Sequence, residues 1–261
     1  MPRHGFSRRW ILAAIVTVVA SLNAALFAFE IPARQLPQHP FAPGEQSSFR
    51  MSWGIFSGAG SGTLSLTRDT IRGDTVLHAT LSIRGGIPGA RVNERLESWM
   101  KRDSLTSLRY LQHTRYPRFS RDRLRDFFPA DRRWTGHTNN RAENGELPTG
   151  RPLDEISILY VVRTLNLEIG TEHQLHDYWK PDGNPIRLKV LRREVVTVPA
   201  GTFTCIVVQP IIKSSGLFGE GGEAEVFFSE GPARELVMLR AKLSIATLTL
   251  RLEKFQPGAP E

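Results

Sequence analysis

Residues 75–83 read Thr75-Val76-Leu77-His78-Ala79-Thr80-Leu81-Ser82-Ile83. In an extended chain Leu77, Ala79 and Leu81 share one face, and Val76, His78 and Thr80 share the other. A period of two over this length predicts a half-buried strand. The same period recurs on both sides. Towards the N-terminus, Leu64 and Leu66 share a face, and Ser48–Phe56 and Gly60–Arg68 flank Ser57-Gly58-Ala59, which predicts a hairpin. Towards the C-terminus, strands are predicted at Glu94–Lys101, Ser107–Arg115, Arg121–Phe128 and Arg132–Thr138. The turns between them carry Gly, Pro, Asp or Asn.

Asn139–Arg151 is polar and reads as a loop. One helix is predicted over 154–169. Asp154 can accept from the free N–H groups of its first turn. Ile156, Leu159, Tyr160, Val162 or Arg163, and Leu167 follow at near-helical spacing, and Gly170 suits a left-handed close. Strands return at Glu172–Lys180, Ile186–Val198, Phe203–Lys213, Glu223–Ser229, Glu235–Ile245 and Thr247–Phe255. The expected fold is mainly β: a large curved antiparallel sheet, an open or clam-like barrel of roughly a dozen strands, with one helix packed against it.

The first thirty residues are of another kind. Arg3, Arg8 and Arg9 precede an uncharged tract from Trp10 to Phe29. It reads either as a signal peptide, with Ala24, Ala25 and Ala28 near its cleavage point, or as an uncleaved membrane-anchoring helix. Ser7-Arg8-Arg9-Trp10-Ile11-Leu12 partly matches a twin-arginine export signal. No cysteine follows the tract, so a bacterial lipoprotein anchor is excluded. The expected organisation is a targeting segment at 1–29, a Pro-rich linker at 30–42, one β-rich domain at 43–255 and a tail at 256–261. The expected location is the periplasm or cell envelope, with membrane association through residues 10–29. Net charge is +8, falling to about +5 without the first 28 residues and their three arginines.

No catalytic pattern emerges. Cys205 lies in an apolar run and reads as a buried thiol. His173 and His176, three apart on a strand, point to opposite faces and cannot share a metal. Gly58-Ala59-Gly60-Ser61-Gly62 sits in a hairpin, where glycine serves the backbone rather than a nucleophile. Asp154-Glu155 suits a helix start. No cofactor and no metal is called for.

Nine arginines lie between Arg115 and Arg151 against five acids, interleaved with Tyr116, Phe119, Phe127, Phe128 and Trp134. Export argues against nucleic acid. Anionic lipid head groups or acidic glycans suit arginine's bidentate donors. The plainer reading is arginine-out, aromatic-in strands with solvated charges.

Four segments carry a resemblance: 51–64 (MSWGIFSGAGSGTL), 154–165 (DEISILYVVRTL), 198–205 (VPAGTFTC) and Phe227-Phe228-Ser229 through Leu252. In this order they resemble the bacterial exported family known as domain of unknown function 3108. The resemblance implies a curved antiparallel sheet with a helix, and no established activity. The candidate ligand contacts are Trp53, Tyr160, Arg163, Arg123 and Arg125. Tyr160 and Arg163, three apart on the helix, either orient a ligand or tie the helix to the sheet. Three functions follow as expectations: binding of an apolar or amphipathic ligand or a partner between sheet and helix, membrane-tethered assembly, or an enzyme acting on envelope glycans or lipids.

Overall fold

A computed structural model describes residues 39–213, 224–242 and 247–259. The predicted N-terminal hydrophobic helix and most of the linker lie outside the described residues. Those described form fourteen strands in one antiparallel sheet and one α-helix.

The strands are β1 (Gln46–Trp53), β2 (Phe56–Ile71), β3 (Asp74–Ile87), β4 (Ala90–Lys101), β5 (Ser107–Tyr116), β6 (Phe119–Phe128), β7 (Arg133–Thr138) and β8 (Arg141–Glu146). Helix α1 (Glu155–Thr164) follows. Then come β9 (Glu172–Leu175), β10 (Ile186–Val198), β11 (Gly201–Ile211), β12 (Ala224–Ser229), β13 (Leu236–Lys242) and β14 (Thr247–Gln256). Their order across the sheet is 8-7-6-5-4-3-2-1-14-13-12-11-10-9. Two meanders therefore run outward from a central β1–β14 pair, and α1 connects the two outer edges.

That connection forces the sheet to curl. Laid flat, fourteen strands would be about 60 Å wide. Instead the segment leaving β8 pairs with the segment leaving β9. Leu153 N–H donates to Asp177 C=O at 2.6 Å, and Trp179 N–H donates to Leu153 C=O at 3.0 Å. Trp179 then packs against Phe127 of β6 and Trp134 of β7, with ring centroids 5.9 and 5.7 Å apart.

The helix lies inside this curl, with nine of its ten residues buried. Its N-terminus is held under β4 and β5. Asp154 Oδ1 accepts from Ile156 and Ser157 N–H, both at 2.9 Å, and Ser98 Oγ donates to Oδ2 at 2.6 Å. Its C-terminus is held under β1 and the β12–β13 turn. Arg163 donates to both Glu45 carboxylate oxygens, at 2.6 and 2.7 Å, and to Ala233 C=O. Arg234 donates to the terminal carbonyls of Arg163 and Leu165, which suits the negative end of the helix.

Several sequence expectations shift. The first hairpin turns at Gly54-Ile55, not at Ser57-Gly58-Ala59. The glycines that suggested a turn lie within β2, where Gly60 faces Gly85 of β3. A Cβ on Gly60 would stand 2.6 Å from Gly85 Cα, and one on Gly85 2.6 Å from Gly60 Cα. Close strand approach, rather than a bend, is what these glycines serve. Arg141–Glu146, read as loop, is edge strand β8. The helix ends at Thr164 rather than 169, because Leu165 is already extended and both Leu165 and Leu167 turn to pack on the core. Phe41, read as linker, is buried against Tyr160.

Candidate functional site

Cross-strand register sets what the inner face carries. One inner row reads Phe49–Gly62–Ile83–Glu94–Thr114–Arg121 from β1 to β6. The next reads Leu64–Leu81–Leu96–Gln112–Arg123–Thr138–Arg141, and a third Leu66–Ala79–Ser98–Tyr110–Arg125–Gly136–Glu143. Each row is apolar on β2 and β3 and becomes polar at β4 or β5. The interior thus has an apolar half and a polar half, and the polar half holds three consecutive inward arginines of β6. The arginine-out reading fails for Arg121, Arg123 and Arg125. These positions share the parity of buried Phe127, so the strand that buries Phe127 also turns them inward.

Two further elements complete the polar half. Helix α1 contributes Glu155, and the segment after β9 contributes Tyr178, Trp179 and Lys180. Tyr178 Oη donates to Glu155 Oε1 at 2.8 Å, and Lys180 Nζ lies 3.6 Å from the same oxygen. Arg125 pairs with Glu143 of β8 and stacks on Trp134, 4.5 Å from its centroid. Gly145 leaves room for the Trp134 indole, which a Cβ there would meet at 2.8 Å. Trp179 faces three cations, with Lys180, Arg125 and Arg123 at 4.9, 5.5 and 5.7 Å from its ring. The negative face of an indole partly offsets such crowding.

The cations outnumber the ionised acids that meet them. Arg123 donates to Gln112 Oε1 at 3.2 Å and Arg121 lies over Phe119. Among the described residues neither has a carboxylate within 4 Å. Glu94 is the nearest buried acid on β4, but it accepts from Tyr116 and Thr114, and burial raises its pKa. Burial and the neighbouring Arg123 charge lower the pKa of Arg121 and bring that of Arg125 down to about 10. Lys180 is also lowered, first by burial. For Glu155, burial works upward, but Lys180 and the Tyr178 hydroxyl outweigh it and hold the carboxyl below its usual range. Tyr110 Oη, Arg123 Nε, Arg125 Nε, Glu155 Oε2 and Trp179 Nε1 are all buried without a protein partner. The polar half is therefore cationic, aromatic-walled and rich in unmatched donors, the composition of an anion-binding site. A separate cleft of about 1310 Å³ lies at the β3–β4 and β5–β6 turns, with Val92 and Tyr116 in its wall and none of the inner β6 arginines lining it.

The other sequence candidates fall elsewhere. Trp53 is buried at the end of β1, in the apolar half. Tyr160 is wholly buried, its pKa pushed up by burial and its hydroxyl without a partner. Arg163 is 2% exposed and engaged with Glu45. Of the five candidates, Arg123 and Arg125 come together in the polar half, while Arg163 lies over the Tyr160 ring, 5.3 Å from its centroid, as part of the tie at the helix C-terminus. The gap between the C-terminal half of the helix and the sheet, lined by Leu64, Leu159, Tyr160, Arg163, Phe228 and Leu236, is too small to admit a water molecule. Cys205 is fully buried, and its thiol is pushed up to about 12 by burial and nearby carboxylates. His173 bonds to Asn166 C=O on β9, while His176 lies beyond the strand. Among the described residues no three His, Cys, Asp or Glu side chains are placed to hold a metal. Sequence reading missed Arg121, Lys180 and Trp179. Phe127, two and four residues from Arg125 and Arg123, was the signal that those positions face inward.

None of the curated proteins matches the chain in sequence. A solved β-barrel-like protein of domain of unknown function DUF1849 from Brucella abortus is 7% identical, with a TM-score of 0.52 over 85% of this chain and all of that one. That likeness is one of fold alone. A "putative lipoprotein" from Parabacteroides distasonis (11% identity, TM-score 0.31, covering 84% and 98% of the two chains) and a "putative exported protein" with a YmcC-like fold from Bacteroides fragilis (10%, 0.28, 85% and 99%) are more distant. The family model of proteins of unknown function DUF3108 matches residues 48–253. With that match running from β1 into β14, the chain belongs to the DUF3108 family.

Proposed function

We propose that this protein is a non-catalytic binding protein of the bacterial cell envelope, whose inner arginine row receives the anionic group of its ligand. The observation that carries the reading is the pair Arg121 and Arg123, turned into the curled sheet beside Trp179 without a carboxylate partner. A half-buried cation pair repels itself, and an anion relieves it. Guanidinium donors match phosphate and carboxylate geometry. The uncharged N-terminal tract supports an envelope location. The acids that might have served catalysis are engaged structurally: Asp154 caps the helix, and Glu155 is held by Tyr178 and Lys180.

The anionic group is either a small free ion or the head of an amphipathic molecule. The test separates them by thermal unfolding of delipidated protein with dodecyl phosphate, dodecyl maltoside or inorganic phosphate. Stabilisation by dodecyl phosphate but not the maltoside, lost in Arg121→Gln/Arg123→Gln, is the expected result. Equal stabilisation by inorganic phosphate identifies a small-anion site. Equal response to the two detergents, or a double variant that responds like the parent, refutes the reading.

A further inference from the structure

Three hairpin turns stand side by side at one end of the sheet: Gly54-Ile55 between β1 and β2, Pro88-Gly89 between β3 and β4, and Pro117-Arg118 between β5 and β6. Arg50, Ser61, Arg84, Asn93, Arg115 and Ser120 form one continuous cross-strand row below them, and the first two tips rise about two residues, roughly 7 Å, further past this row than the third. Neighbouring tips are two strands apart, about 10 Å.

These tips are unusually apolar. Ile55 is 93% exposed, Phe56 52% and Phe119 41%. They are three of the five large hydrophobic side chains exposed among the described residues. A single exposed isoleucine needs no explanation, but an isoleucine and two phenylalanines on the first and third of these turns, about 20 Å apart on one end of the sheet, do. The tips are also basic. Residues 53–60, 84–93 and 115–121 hold Arg84, Arg91, Arg115, Arg118 and Arg121 and no acid. Arg115 pairs with Asp122 and Arg121 faces inward. Arg84, Arg91 and Arg118 are exposed, and among the described residues they have no carboxylate partner. Arg84, Arg91 and Arg115 line the open cleft between the second and third tips.

We propose that this end docks on an anionic lipid bilayer. Ile55, Phe56 and Phe119 enter the interfacial layer, and Arg84, Arg91 and Arg118 contact head-group phosphates. Protruding apolar side chains ringed by cations suit that boundary, where apolar burial and attraction to anionic lipid add. A protein partner would meet the same apolar tips, but an acid-free ring of arginines is complementary to a negatively charged plane. Phe119 touches Arg121 of the interior site, but the dye reads depth in a bilayer, so failure here and failure of the interior anion site are distinguishable.

The test uses the full chain in vesicles, with an environment-sensitive dye on Ile55→Cys, Phe119→Cys or, at the opposite end, Asp103→Cys. Cys205 is buried and stays unlabelled, which the parent protein verifies. The dye reports local depth, so the reading does not depend on how residues 10–29 behave. With phosphatidylglycerol vesicles, positions 55 and 119 shift to the blue and are quenched by acyl-chain nitroxides, and position 103 is not. Phosphatidylcholine alone gives a smaller shift. Arg84→Glu/Arg91→Glu loses the anionic increment, as does ~1 M salt, where the screening length falls to about 3 Å. No shift at 55 and 119, an equal shift at 103, or equal shifts in the two lipids overturns the proposal. A shift that grows with protein concentration without lipid assigns the tips to a protein contact and also overturns it.

Discussion

Asp154 carries more of the fold than a helix cap usually does. Its carboxyl accepts two backbone N–H groups and the Ser98 hydroxyl, yet burial outweighs these donors and pushes its pKa up to about 7. The unfolded chain ionises this group near the ordinary carboxyl value of 3.8. The folded state therefore holds the extra proton between about pH 4 and 7. Stability from this group is greatest below that window and falls as pH rises through it, by on the order of 4 kcal/mol at full extent. Asp154→Asn keeps an acceptor for Ile156 and Ser157 and cannot ionise. Urea unfolding at pH 5 and pH 8 should show the parent losing stability towards pH 8 and the Asn variant losing less. Glu94, also raised by burial, contributes a remaining slope of the same sign. An Asn variant with the parent's full slope would show that the buried carboxyl at 154 is not what titrates. Asp154→Ala, which removes the acceptor and the titrating group together, should cost about 1–2 kcal/mol or more at pH 5 and distinctly less at pH 8, where the parent has lost the contribution of the protonated carboxyl.

At the scale of elements, α1 is fixed at its two ends by different means, and the far end decides what Arg163 is for. The Arg163–Glu45 pair is bidentate, and its two side chains are 3% and 4% exposed. Arg163 also lies 4.8 Å over Phe41. Arg163→Met leaves Glu45 buried without its partner, which should cost about 3–5 kcal/mol in urea unfolding. Adding Glu45→Gln should recover part of that loss, while phosphate or dodecyl phosphate binding by the surviving fold stays unchanged. A binding defect out of proportion to the lost stability would make Arg163 a ligand contact instead of a tie. The same scale shows how much could be read from residue order. Most strands were legible because alternation such as Leu77-Ala79-Leu81 needs only one buried face. β8 was not, since an edge strand reading Arg-Ala-Glu-Asn-Gly-Glu buries nothing that periodicity could register. The helix start was legible in Asp154, but its end was not, because Leu165 and Leu167 keep an apolar rhythm while pointing into the core from extended backbone. The pairing that makes the site lay beyond reach for a related reason. Lys180 and Trp179 meet Arg123 only because the sheet curls, and curl comes from non-local contacts.

At the scale of the whole molecule, the curl is held by few contacts between its edges, and Trp179 is central to them. The central pairs have long ladders, unbroken between β2 and β3 and interrupted between β1 and β14 only by a bulge at Ser48/Phe49. By contrast, the two edges meet through one short parallel bridge at Leu153–Tyr178, through Asp177, which accepts from Thr149 and pairs with Arg151, and through aromatic packing of Trp179 on Phe127 and Trp134. Trp179→Ala removes that packing and also the ring facing Lys180, Arg123 and Arg125. Loss of a buried tryptophan of this kind costs about 3–5 kcal/mol. Where the loss appears distinguishes a closed curl from a uniformly cooperative sheet. If the edges open as their own unit, amide hydrogen exchange should accelerate in β6–β8, in 177–179 and at the N-terminus of α1, while β1, β14 and β2 keep the parent's protection. The interior arginines then become solvated, so the dodecyl phosphate response should weaken even though Arg121 and Arg123 remain. Acceleration spread evenly over all fourteen strands would instead mean that Trp179 supports only global stability, and that the two edges are not a separable gate over the polar half.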